Sequence, residues 1–258
     1  MRVGFFVTAR LKSTRLPKKV MLELAGKPAI VHMLDRIKQA KRIDTIVICT
    51  STNPQDEPLA QIAAQERVGC YRGSEEDVLM RLLEAAHAYH VDYIVNLTAD
   101  CPLVDPMHID AVVEAYRTTQ ADLITTNRLP PGQGSWGIAL EALRKVCEMK
   151  EETNTEVWGR YFTASGAFRV YDLEVDPAQE HPTLKTSLDY PEDYAFLRRL
   201  VDELYVPGEA FSLNDVLRLV KEKPELLAMN ASCKSRGLEH VARTAPPARL
   251  RPQKSCRE

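Results

Sequence analysis

The chain lacks any apolar run near the ~18 residues that a membrane-spanning helix requires, so no membrane association is expected. It also lacks a signal-peptide pattern. The N-terminus has one arginine, a strand-length apolar run and then a basic loop, without a small-residue cleavage site. Its six cysteines, Cys49, Cys70, Cys101, Cys147, Cys233 and Cys256, include no Cys-x-x-Cys pair. In a chain of 258 residues that scatter argues against a disulfide scaffold or a zinc ribbon, and points to reduced thiols in a cytoplasm. A large charge imbalance is missing too. The formal net charge of −2 argues against a nucleic-acid partner and makes any basic cluster a local feature. Neither an internal repeat nor a Gly-x-x-x-x-Gly-Lys-Ser/Thr phosphate loop is found.

What is present is an alternation of short apolar runs with amphipathic segments. Residues 2–8 (RVGFFVT), 45–51 (TIVICTS), 70–73 (CYRG) and 93–100 (YIVNLTAD) read as strands. Residues 28–41, 57–67, 76–90 and 107–119 read as helices, with apolar positions such as Ile30, Val31, Leu34 and Ile37 at helical spacing. Strand–helix alternation of this kind predicts βαβ units and an α/β fold with a mainly parallel sheet flanked by helices. Beyond residue 120 the pattern loosens. Residues 121–127 and 168–175 read as further strands, the second as a half-buried edge. Residues 138–150 read as a helix, 184–205 as a short strand leading into a helix, and 212–230 as a helix capped by Ser212. The basic, proline-rich C-terminus shows no apolar periodicity, so the expected division is one domain over 1–235 and a disordered tail over 236–258.

The densest chemical signal is ARLKSTRLPKK at residues 9–19, directly after the first strand. Five like charges in eleven residues repel one another, and a solvated loop is the plain explanation. A polyanion is the sharper one. A triphosphate carries roughly four negative charges, and arginine forks, lysine point charges and the Ser13 and Thr14 hydroxyls are the groups that grip phosphate oxygens. Asp100 stands at the end of another strand, where the chain leaves the sheet. Ligands of parallel sheets sit beyond the carboxyl ends of strands, so both features can face one crevice. Facing a triphosphate loop, Asp100 reads as a hard oxygen ligand for Mg²⁺ rather than a merely solvated acid.

The stretch ARLKSTRLPKKVMLELAGKP resembles the N-terminal signature of the cytidylyltransferases that activate sialic acid and 3-deoxy-octulosonate. Within them it is most similar to the branch named for spore coat polysaccharide biosynthesis protein F. Segments 50–63, 71–86, 96–106, 188–200 and 211–230 resemble the family in the same order, so the likeness covers about residues 1–230. It implies a single Rossmann-like nucleotidyltransferase domain that transfers CMP from CTP to a sugar acid, releasing pyrophosphate with Mg²⁺, for surface polysaccharide or glycan biosynthesis. A homodimer is a family habit.

By that resemblance Arg10, Ser13, Arg15 and Lys19 hold the nucleotide, with Arg10, Lys19 and Asp100 in catalytic roles. Lys18 stands where relatives commonly have glycine and is auxiliary. Arg72, Ser74, Asp77 and Arg81 fall in the segment near the base and ribose, although Asp77 reads equally as a helix N-terminal acid. Asp189 matches the second acidic metal position beside Asp100, or else an N-cap ahead of Pro191. His87 and His90 read as surface residues, Cys101 as a small buried residue, and Trp136 and Trp158 as packing or interface residues rather than stacking platforms. The chain departs from relatives at GSWGIALEAL (134–143) and NTEVWGRYF (154–162), which belong to the acceptor side and dimer contact in the family. Two other readings remain open from the residues. One is a guanylyl- or uridylyltransferase acting on a sugar phosphate, which usually has a glycine-rich first loop. The other is a non-catalytic nucleotide-sugar binding protein.

Overall fold

The computed structural model describes residues 1–251. Strand β1 (Val3–Thr8) is followed by a small hairpin, β2 (Glu23–Leu24) and β3 (Lys27–Pro28), and by α1 (Ala29–Ile37). Then β4 (Thr45–Ser51), α2 (Glu57–Gln65), β5 (Gly69–Gly73), α3 (Val78–Ala88), β6 (Tyr93–Thr98) and α4 (Pro106–Thr119) alternate. The second half adds β7 (Leu123–Thr125), β8 (Trp136–Ala139), α5 (Leu140–Met149), α6 (Gly159–Thr163) and β9 (Val170–Asp172). It ends in four helices, α7 (Pro191–Leu204), α8 (Leu213–Glu222), α9 (Glu225–Ala228) and α10 (Cys233–Thr244). No helix among the described residues is long and apolar enough to cross a membrane.

Seven strands form one sheet in the order β5-β4-β1-β6-β8-β7-β9. β5, β4, β1 and β6 run parallel, β8 is antiparallel to both its neighbours, and β9 closes the edge parallel to β7. The sheet is therefore mixed and mostly parallel, with helices on its faces.

The two faces can be read along single strands, because successive side chains point to opposite sides. Val3, Phe5 and Val7 of β1, with Tyr93 and Val95 of β6, join α1, α2 and α4 in one buried cluster. Phe6 and Ile94, from the same strands, join α3 and α5 in another. A strand buried on both sides cannot show polar alternation, which is why these runs are continuously apolar. A third cluster, built on Phe196, Leu197, Leu200 and Leu213, packs α7 and α8 against Leu24 and Ala29.

Three expectations are corrected. Residues 212–230 form two helices, α8 and α9, because Pro224 interrupts the helix after Glu222. Residues 184–189 form no strand, because their amides bond to loops: Thr186 N–H donates to Pro131 O and Leu188 N–H to Asp100 O. The expected disordered tail, 236–258, begins inside helix α10 (Cys233–Thr244), and the chain then returns to the domain. Ala248 and Leu250 pack on the second cluster, and Leu250 pairs with Lys150 in an isolated antiparallel bridge. Too few apolar residues fall there for periodicity to show, so the contacts are visible only in three dimensions. Residues 252–258 of that expected tail lie outside the described residues.

Candidate active site

β1 has β4 and β5 on one side and β6 on the other, so the chain order reverses there. A crevice opens at such a switch point, beyond the strands' carboxyl ends. Thr8, the last residue of β1, pairs with Thr98 of β6 and Cys49 of β4. The basic loop and Asp100 thus leave neighbouring strands at the same level.

The loop is held from beneath. Ala9 N–H donates to Cys49 O at 3.2 Å. Leu11 N–H donates at 2.7 Å to Asp56, a fully buried carboxylate that also accepts from Ser51. Leu16 N–H bonds Ser13 Oγ at 3.4 Å. Lys18 has a φ of 52°, a left-handed conformation that costs a side-chain-bearing residue about 1 kcal/mol. Its side chain is exposed, and it does not line the crevice.

Four of the five cations are answered by carboxylates, which explains how the loop tolerates them. Arg10 pairs with Glu156 at 3.0 Å and donates to Glu75 O at 2.8 Å. Lys12 pairs with Glu75 at 3.1 Å. Arg15 reaches Asp189 at 2.9 Å. Lys19 lies between the two acids, 2.5 Å from Asp100 and 2.9 Å from Asp189. Burial alone would lower the Lys19 pKa, but the two carboxylates outweigh it and raise it, so this ammonium stays charged. Burial would likewise raise the Asp189 pKa. Lys19, Lys185 and Arg15 overcome it and hold the carboxyl well below its usual range.

Asp189 is not the helix cap. The N-cap of α7 is Tyr190, and Asp193, fully buried in the first turn, reaches back to accept from the amides of Asp189 and Tyr190, each at 3.0 Å. Lys185 bridges Asp193 at 2.6 Å and Asp189 at 3.2 Å, fixing the second acid from behind.

Arg10, Ser13, Arg15, Lys19 and Asp100 line one cavity of about 210 Å³. Arg72, Ser74, Asp77 and Arg81 do not line it; Ser74, Asp77 and Arg81 build the turn between β5 and α3, and Arg72 braces β5 against the segment after β4. Asp77 caps α3, accepting from Met80 N–H at 3.1 Å, and is paired with Lys150 at 2.5 Å. Ser74 Oγ accepts from Asp77 N–H at 3.0 Å. Arg72 donates to the carbonyls of Ser51 and Asn53. Arg81, with no exposed surface, donates to Ser74 O and Glu75 O, and burial lowers its pKa. The turn still serves the crevice indirectly, since the Glu75 carbonyl holds Arg10 and Val78 lines the cavity wall.

Sequence reasoning passed over Glu156 and His240 and read Trp158 as a packing or interface residue. All three line the cavity. Trp158 also packs, edge-on to Trp136 at 5.2 Å between ring centroids. Glu156 and Trp158 belong to the departing segment 154–162, so that departure was the signal available; for His240 there was none. His87 and His90 are exposed. Cys101 is buried, and burial beside Asp100 pushes its thiol pKa well up, so it is no nucleophile.

Over residues 5–199 the chain matches the cytidylyltransferase family. It belongs to that family. The spore coat polysaccharide biosynthesis protein SpsF of Bacillus subtilis is 26% identical over 232 residues, spanning 86% of this chain and 95% of that protein. A 3-deoxy-manno-octulosonate cytidylyltransferase of Chlorobium phaeobacteroides is 31% identical over 135 residues, 50% of this chain and 52% of that one. A solved cytidylyltransferase structure from Leptospira borgpetersenii shares the fold with a TM-score of 0.81 at 26% identity, covering 88% of this chain and 97% of the other.

Proposed function

We propose that this cytidylyltransferase binds CTP in the crevice and transfers its CMP group to a hydroxyl of a sugar acid, for surface polysaccharide or glycan assembly in the cytoplasm. The observation that carries the reading is the interlocked set of Arg15, Lys19, Asp100 and Asp189 at the switch point of a family member's sheet. Four charges held against each other need a ligand of both signs to separate them. A nucleoside triphosphate with a divalent cation is such a ligand, offering oxygens to Arg15 and Lys19 and a hard cation to the acids.

The residues fit Mg²⁺. Two carboxylates converge on one point, now marked by the Lys19 ammonium, and Mg²⁺ is usually bound by one or two carboxylates together with substrate phosphates. When bound, the ion would neutralise charge on the reacting phosphates. Arg10, Arg15 and Lys19 would grip the triphosphate and stabilise the departing pyrophosphate. Lys19, held charged, acts as a fixed cation rather than a base. The acceptor oxygen bonds to the α-phosphorus as the bond to the α–β bridging oxygen breaks. That oxygen leaves with the electron pair on pyrophosphate, and the hydroxyl proton passes to solvent. The inert Cys101 accords with direct displacement.

The test is a pyrophosphate-release screen of the four nucleoside triphosphates against sugar acids and sugar 1-phosphates, with and without Mg²⁺. Release from CTP with a sugar acid, abolished by chelation, is expected. A preference for GTP or UTP with a sugar 1-phosphate would overturn the assignment.

A further inference from the structure

Helix α10 lies outside the residues that carry the family match, yet it reaches the crevice. Its first turns are anchored. Cys233 is fully buried, and Lys234 Nζ donates to Pro182 O at 2.7 Å. Arg236 pairs with Glu192 at 2.7 Å, and its guanidinium lies 4.0 Å from the centroid of the Tyr190 ring. Arg15 approaches the same ring at 5.1 Å. Tyr190, next in sequence to Asp189, therefore ties the basic loop to α10.

One turn further along α10, His240 lines the crevice cavity beside Lys19 and Asp100. His240 and Arg15 also line a second, more open cavity of about 450 Å³, together with Tyr190, Arg236, Glu239 and Arg243. Because the two cavities share Arg15 and His240, the second continues the first outward. Of its three guanidinium groups, Arg15 and Arg236 are paired with Asp189 and Glu192, while Arg243 and the His240 imidazole stand with the Glu239 carboxylate outside those pairs.

We propose that α10 forms the acceptor wall of the active site, with His240 and Arg243 receiving an anionic group on the acceptor. This rests on the nucleotidyl-transfer reading above. The phosphates of the nucleotide already have Arg10, Arg15 and Lys19 on the loop side, so a further cationic wall one ring beyond Arg15 suits a second anion. Bringing an anionic acceptor up to a triphosphate is opposed by like charge, and cations on the acceptor side offset that opposition. Both carboxylate and phosphate would be received there.

The experiment compares the full-length protein with Arg243→Ala, His240→Gln and the double variant. It measures CTP affinity by titration, melting temperature, and pyrophosphate release with 3-deoxy-manno-octulosonate, its methyl ester and glucose 1-phosphate. Expected is a rise in acceptor KM of about tenfold per substitution, the scale of one lost charge-assisted contact. Melting temperature stays unchanged in both single variants, CTP affinity stays unchanged in Arg243→Ala, whose residue lines only the outer cavity, and the ester, poor in the wild type, is insensitive to either change. Whichever acceptor shows the KM rise, acid or sugar phosphate, identifies the anion. Equal loss of CTP affinity, or an unchanged KM for every anionic acceptor, overturns the proposal. Turnover of CTP with the neutral ester at the full rate overturns it while leaving cytidylyl transfer intact. An α10-sensitive acceptor used with a nucleotide other than CTP does the reverse. Absence of release from every pairing counts against both.

Discussion

The amide of Leu188 donates to the carbonyl of Asp100 over 2.7 Å. The bond joins residues 88 positions apart, and it sets Asp189 beside Asp100, close enough for Lys19 to touch both acids. The carboxylate pair is thus a product of backbone pairing between two loops, neither of them in a strand.

Asp100→Asn keeps the side chain's size but removes the charge that a hard cation requires. Turnover is expected to fall by orders of magnitude, since metal neutralisation contributes several kcal/mol in such transition states. Asp189→Asn should do the same, and the double variant should lose far less than the sum of the two effects. Pyrophosphate release at saturating Mg²⁺ measures this, and full activity in Asp100→Asn would remove the metal role.

Replacing Lys19 by Met leaves Asp100 and Asp189 facing each other without the ammonium between them. The variant should melt lower than wild type in chelator, and Mg²⁺ without nucleotide should restore much of the loss. Thermal shift with and without Mg²⁺ measures it. A melting temperature blind to Mg²⁺ would show that the two acids do not share an ion.

The ion-pair network fixes a pH profile. Asp189 has a folded pKa below its unfolded value of about 3.9, so its contribution is fully present above that value and is lost as pH falls through the folded one. Lys19 has a folded pKa above its unfolded value of about 10.4, so its contribution is present below that value and lost as pH rises beyond it. Stability of the ligand-free protein should hold between roughly pH 4 and 10 as far as these groups decide it. The gap in melting temperature between wild type and Asp189→Asn should narrow as pH drops below about 4. A gap that stays constant down to pH 2.5 would exclude the network as its cause.

Truncation after Thr244 removes Ala248 and Leu250 from the second core cluster. It also removes the bonds from Glu151 N–H to Arg249 O at 3.1 Å and from Arg251 N–H to Met149 O at 2.8 Å. The expected cost is about 2 kcal/mol, or a melting temperature lower by roughly 5 °C. Nucleotide affinity should be retained because α10 remains. An unchanged melting temperature would show that the segment does not dock.

Lys18→Gly relieves the left-handed backbone at φ 52° and should stabilise the protein by up to about 1 kcal/mol, with nucleotide affinity unchanged. Chemical denaturation would register the gain.

The sequence by itself determined the sheet's parallel half, because strands buried on both faces must be continuously apolar and their crossover helices must be amphipathic. It determined the basic loop and Asp100 as well, since both are placed by the strand ends they follow, and the ordered motifs sufficed to name the family. Tertiary structure decided what lies far apart in sequence. It gave the α7 capping role to Asp193 and set Asp189 against Arg15 and Lys19 of the basic loop, a choice that depends on Lys185 and on the Leu188–Asp100 bond. It buried Asp77 and Arg81 and bound Ser74 into the β5–α3 turn, whose amides and carbonyls these side chains satisfy, and it tied Arg72 to the carbonyls of Ser51 and Asn53 after β4. It brought α10 to the crevice through one buried cysteine, one ion pair and a stacked tyrosine ring. Periodicity reports a buried face repeated along a segment; it carries no trace of a segment held by a few long-range contacts, and α10 is such a segment.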